Sequence, residues 1–90
     1  MKPSILVIDD NASFNAILVR SLGRRGFTAE GALDVDSALQ LAERLQPGHI
    51  VLDLNLGGTS GLSLLPKLLA LLPDCRIVVL TGYASITTAV

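Results

Sequence analysis

Three short runs, Ile5-Leu6-Val7-Ile8, Ile50-Val51-Leu52 and Ile77-Val78-Val79-Leu80, are solidly apolar and rich in β-branched residues instead of alternating with polar ones. A strand with one wet face alternates, whereas a strand covered on both faces reads as a continuous apolar run. The chain must therefore supply cover for both sides of a sheet, and the segments between the runs have the spacing to do so. Phe14, Ile17, Leu18 and Leu22 form a helical stripe, closed by Gly26, which can adopt the left-handed conformation that ends a helix. A weaker strand over residues 27–32 precedes a second stripe at Ala38, Leu41, Ala42 and Leu45, with Asp34 placed as its cap and Pro47-Gly48 as its stop. Leu62, Leu65, Leu69 and Leu72 make a third stripe, ended by Pro73. Proline is tolerated in a first helical turn, so Pro66 predicts a late start for this helix, with Ser63 as its cap.

Alternating strands and helices imply a parallel sheet with right-handed crossovers and helices on both faces, an α/β doubly wound fold. A chain of 90 residues, half of them apolar, is one domain with a core that needs no disulfide. The single Cys75 cannot form an internal bridge and reads as a buried, inert thiol. A formal charge of -1 provides no basic field for a nucleic-acid backbone, so direct nucleic-acid binding by residues 1–90 is not expected. The N-terminal apolar run is too short for a signal peptide, and Ser63, Pro66 and Lys67 interrupt the leucine-rich stretch, which predicts a cytoplasmic protein with no membrane span.

In such a sheet, sites form beyond the carboxyl ends of the strands, where the strand order reverses. Asp9 and Asp10 follow the first run, Asp53 and Asn55 follow the second, and Thr81-Gly82 follows the last. A crossover outward to the weaker strand and back puts the first two apolar runs side by side, so Asp9, Asp10 and Asp53 should converge. Three carboxylates packed together repel one another unless a hard, oxygen-seeking cation neutralises them. Mg2+ suits a site of one or two carboxylates that keeps waters and accepts a phosphoryl oxygen. A carboxylate beside such an ion can attack a phosphoryl group and hold it as an acyl phosphate, and Asp53 is the candidate nucleophile.

At Val7-Ile8-Asp9-Asp10-Asn11, Val51-Leu52-Asp53-Leu54 and Val79-Leu80-Thr81-Gly82-Tyr83 the chain resembles the response-regulator receiver domains of bacterial two-component systems. The closing stretch from Leu80 to Val90 is most similar to the redox-responsive regulators of the RegA and PrrA type. The resemblance implies a flavodoxin-like sheet with strand order 2-1-3-4, and a phospho-accepting switch, not an enzyme with a separate substrate, fed by a sensor histidine kinase. It implies that Asp10, Asp53 and the backbone carbonyl of Asn55 hold Mg2+, that Asp9 helps to position the ion, and that the Thr81 hydroxyl meets the phosphoryl group. It also implies an output domain, a transcriptional one for this type. The family's fifth strand, its lysine and its last helix have no counterpart before Val90, so residues 1–90 are expected to be a receiver incomplete at its C-terminus. On this reading the strand over residues 77–80 is a bare apolar edge, which should self-associate or exchange a segment with a second copy.

Other residues read more plainly. His49 lies at the opposite end of the sheet and reads as structural or exposed, with no phosphate-carrying role, and Arg24-Arg25 is a solvated helix end. The loop at Leu56-Gly57-Gly58-Thr59-Ser60-Gly61 lacks the family's usual proline and reads as a looser connection. Two other function classes fit part of the pattern. Asp53-Leu54-Asn55 faintly resembles the nucleophile loop of haloacid dehalogenase-type phosphohydrolases, although Asn55 cannot act as their acid and base. A protein-interaction module with an unused acidic pocket is the other.

Overall fold

The computed structural model describes residues 3–56, 59–80 and 86–88. Its elements are β1 (Ser4–Ile8), α1 (Ala12–Arg24), β2 (Thr28–Ala32), α2 (Val35–Leu45), β3 (His49–Asp53), β4 (Asn55–Leu56), β5 (Thr59–Ser60), α3 (Gly61–Leu71), β6 (Arg76–Leu80) and β7 (Ile86–Thr88). The main sheet runs β2-β1-β3-β6-β7. Its first four strands are parallel, which is the expected doubly wound order.

Local chemistry sets the helix ends. The Asn11 carboxamide oxygen accepts the Phe14 amide at the start of α1, and Gly26 after its end has φ +96°. The Asp34 carboxylate accepts the Ser37 amide at 2.8 Å, capping α2, and Gln46 closes that helix in the left-handed region at φ 50°. No described helix is long and apolar enough to cross a membrane.

The core lies mainly on one side of the sheet. Leu6, Ile8, Ile50, Leu52, Ile77 and Val79 come into register across β1, β3 and β6 and pack with Ala38 and Ala42 of α2 and Leu64 and Leu68 of α3. On the other side, among the described residues, α1 gives the cover, over β1 and β2. Ile5 and Val7 are buried there, whereas Val51 and Val78 are only half-buried. The continuous apolar runs thus describe two-sided burial at β1 and one-sided burial further along the sheet.

Four local expectations are corrected. The sheet-facing side of α1 carries Asn15, Leu18, Val19 and Leu22, while Phe14 and Ile17 are exposed, because α1 rolls to seat Asn15 against Gly31 of β2. Helix α3 begins at Gly61 and keeps Pro66 inside it. A proline in a helix interior costs about 3 kcal/mol or more, and here the burial of Gly61, Leu64 and Leu68 offsets that cost. The Gly61 amide donates to the Leu54 carbonyl at 2.7 Å, and a Cβ at this position would overlap the Asp53 carbonyl and lie 2.9 Å from Leu54 Cα, so the helix start is pinned to the end of β3. The connection read as loose contains the antiparallel pair β4–β5, with Asn55 opposite Ser60 and Leu56 opposite Thr59. Gly-Gly between two such segments is a tight-hairpin signal.

The fourth correction concerns the bare edge. Strand β6 is paired by the chain's own β7, antiparallel, with Val78 opposite Thr88 and Leu80 opposite Ile86. The intervening residues 81–85 are too few for a parallel crossover, which takes a dozen residues or more, so a return strand can only be antiparallel. Val78 to Leu80 of apolar β6 thereby gain backbone partners on this edge from within the chain.

Candidate metal and phosphoryl site

Each acidic residue reaches the corner through the end of a strand. Asp9 and Asp10 follow β1, and Asp53 is the last residue of β3. The register of β1 on β3, with Ile8 opposite Leu52, brings these ends level. One carboxylate oxygen from each of Asp9, Asp10 and Asp53 lies within 4.8 Å of the others, the convergence expected from the crossover. Asp9 is buried, Asp53 half-buried and Asp10 exposed, so the corner opens to solvent on the Asp10 side.

Asp9 is held through both its backbone and its side chain. Its backbone amide donates to the Ala32 carbonyl at 3.1 Å, and one carboxylate oxygen accepts the Asn11 amide at 2.9 Å. Burial pushes the Asp9 acid above its ordinary value of 3.8; the Asn11 amide opposes this, and the Asp53 and Asp10 charges and a carboxyl–carboxyl hydrogen bond with Asp53 add to it.

The linkage has a definite sign. A raised folded-state pKa contributes stability that is present below 3.8 and is lost as pH rises through the higher folded value. Asp34, whose Ser37 partners lower its pKa, acts in reverse: its contribution is present above 3.8 and is lost as pH falls through its lower folded value. With a chelator present, the thermal midpoint of the chain is expected to fall as pH rises above 3.8, and Asp9→Asn to flatten that decline. Parallel profiles for the two proteins would show that Asp9 does not govern it.

The donor set suits a hard divalent cation: three carboxylates whose oxygens converge at one edge of the sheet. Asn55 opens β4 two residues beyond Asp53. Thr81 directly follows Leu80, which lies opposite Asp53 in the β3–β6 register, but Thr81 itself is outside the described residues. His49 stands at the far end of β3 and Cys75 is buried, pushed up in pKa by that burial, so neither takes part. A cavity of about 260 Å³ between residues 46–48 and 71–75 also lies at the far end of the sheet, without a convergent set of charged groups.

One residue that the sequence reading passed over belongs to this corner. Asn15 is buried in the first half of α1, and its amide nitrogen donates to the carbonyls of Val7 at 3.3 Å, Asp9 at 3.1 Å and Ala32 at 3.0 Å. Residues 15, 18, 19 and 22 have the i, i+3, i+4, i+7 spacing of a buried helix face, but the asparagine at the first of them reads as an interruption of an apolar stripe.

Residues 5–90 match the family model of the response regulator receiver domain. The chain is 41% identical over 87 residues to the photosynthetic apparatus regulatory protein RegA of Cereibacter sphaeroides, an alignment covering 97% of this chain and 47% of that protein. It is 40% identical over 87 residues to the acid tolerance regulatory protein ActR of Sinorhizobium medicae, covering 97% of this chain and 45% of the relative. The chain thus spans about half the length of the curated relatives it matches. Among solved structures, it is similar to a response regulator of Burkholderia pseudomallei that was crystallised with a phosphorylated aspartic acid, a calcium ion and citrate. That match has a TM-score of 0.87 and 50% identity, over 93% of this chain and 49% of the other.

Proposed function

Because the chain belongs to the response regulator receiver domain family, we propose that it is the phospho-accepting switch of a two-component system, receiving a phosphoryl group on Asp53 from a sensor histidine kinase. The observation that carries this reading is the meeting of the Asp9, Asp10 and Asp53 carboxylates within 4.8 Å at the carboxyl edge of the sheet. A carboxylate oxygen of Asp53 attacks the phosphorus, the donor's bond to phosphorus breaks, and an acyl phosphate remains on Asp53. Asp10, Asp53 and the Asn55 carbonyl are the proposed Mg2+ ligands, Asp9 positions the ion, and the Thr81 hydroxyl engages the phosphoryl oxygens. Bound there, Mg2+ would neutralise the clustered charge and the incoming phosphoryl oxygens. The phosphoaspartate and calcium ion of the Burkholderia pseudomallei regulator support both the acceptor and a hard dication.

The output we propose is control of transcription by a domain beyond this chain, in the cytoplasm, as the RegA and ActR relatives are regulatory proteins. The self-association we propose exchanges residues 86–88 between copies, since β7 already pairs β6 within one chain. The dehalogenase-like reading gives way to family membership, and the unused-pocket reading is the one to test against. Incubated with acetyl phosphate, the chain is expected to gain one phosphoryl mass by intact-protein mass spectrometry when Mg2+ is present and none when it is chelated. No uptake in either condition would favour the interaction module.

A further inference from the structure

Asn15 stands in the middle of the hydrogen bonds that hold the acidic corner. A carboxamide nitrogen has two hydrogens, and here they are shared among three carbonyls, those of Val7, Asp9 and Ala32. The Ala32 carbonyl also accepts the Asp9 amide at 3.1 Å, so the ends of β1 and β2 are tied through one buried group. The connection continues outward: the Asp9 carboxylate accepts the Asn11 amide, and the Asn11 side chain accepts the Phe14 amide at the start of α1. Gly31 leaves the room for this, because a Cβ there would overlap the Asn15 side-chain oxygen and crowd Val19. Asparagine at 15 and glycine at 31 are thus two halves of one fitted contact.

We propose that Asn15 is a positioning residue for the acidic corner: its buried amide, bonded to the Val7, Asp9 and Ala32 carbonyls, sets where Asp9 and Asp10 leave β1 and so sets the affinity of the corner for a divalent cation. The proposal rests on the metal-binding reading above. Mg2+ demands near-ideal octahedral geometry and tolerates misplaced ligands poorly, and the groups that orient metal ligands are worth about 10–100-fold in affinity. Without Asn15, the Asp9 carbonyl loses a buried donor and the strand end is free to shift.

The test is a Mg2+ titration of the chain followed by the amide shifts of Asp10 and Asp53, with each variant's folding midpoint measured alongside. Asn15→Ala and Asn15→Leu remove the donors with and without a cavity, and Gly31→Ala displaces the amide from the other side. Each is expected to weaken Mg2+ binding by about tenfold or more. Leu68→Ala, a core truncation on the opposite face of the sheet, is expected to lower stability and leave the Mg2+ affinity of the folded chain unchanged. Unaltered affinity in the Asn15 variants, or an equal loss in Leu68→Ala, would overturn the positioning role. No saturable Mg2+ response in the unmodified chain would instead overturn the metal reading beneath it.

Discussion

Asp53→Asn is expected to abolish phosphoryl uptake from acetyl phosphate while leaving the fold in place. An amide oxygen carries no formal charge and is a poor nucleophile, so the acyl phosphate cannot form at that position. The substitution keeps the shape of the side chain, and it removes one of three mutually repelling charges gathered within 4.8 Å. The folded state should therefore be as stable as before or more so, and the Asp9 acid should return toward 3.8 as a neighbouring charge is lost. Intact mass after incubation, with circular dichroism as the control for folding, reads both halves of the result. Uptake persisting in Asp53→Asn would put the acceptor elsewhere in the corner, with Asp9 or Asp10 the nearest carboxylates.

The second large effect concerns stability. Leu68 is fully buried in the middle of α3 against the strand residues of the core. Truncation to alanine is expected to cost about 2–5 kcal/mol, the transfer loss plus the cavity left behind. Against a total stability of about 5–15 kcal/mol for a domain, that is a large share of what holds the chain folded. Leu62, on the same helix but 58% exposed, is expected to lose no more than about 0.5 kcal/mol on the same truncation. Urea melts with unchanged slopes and shifted midpoints give both values, and equal losses at the two positions would mean that α3 does not pack as described.

The acidic corner was legible because the sequence marks both its residues and the edge they share. Asp9, Asp10 and Asp53 each close an apolar run, and the crossover rule for parallel strands brings those runs together without further information. Asn15 was not legible from the same rules. An asparagine in an apolar stripe reads as an interruption until β2 is placed beside β1, which supplies the Ala32 carbonyl and the empty space over Gly31. The apolar spacing alone places Phe14 inward, one residue out of phase with the α1 face that the structure buries.

What the sequence by itself determined is the order of the four parallel strands and three helices, the caps and stops of the first two helices, and the carboxylates at the strand ends, because hydrophobic period and turn chemistry are properties of neighbouring residues. Tertiary structure alone decided that α3 starts at Gly61 despite Pro66, since the deciding contact is with Asp53 and Leu54 at the end of another element. It also decided that the edge of β6 is covered by residues 86–88, and that β1 is buried on both faces while the second faces of β3 and β6 are only half covered. These outcomes turn on which distant segments share space, and a burial gain or a filled hydrogen bond between such segments can outweigh a local preference of a few kcal/mol.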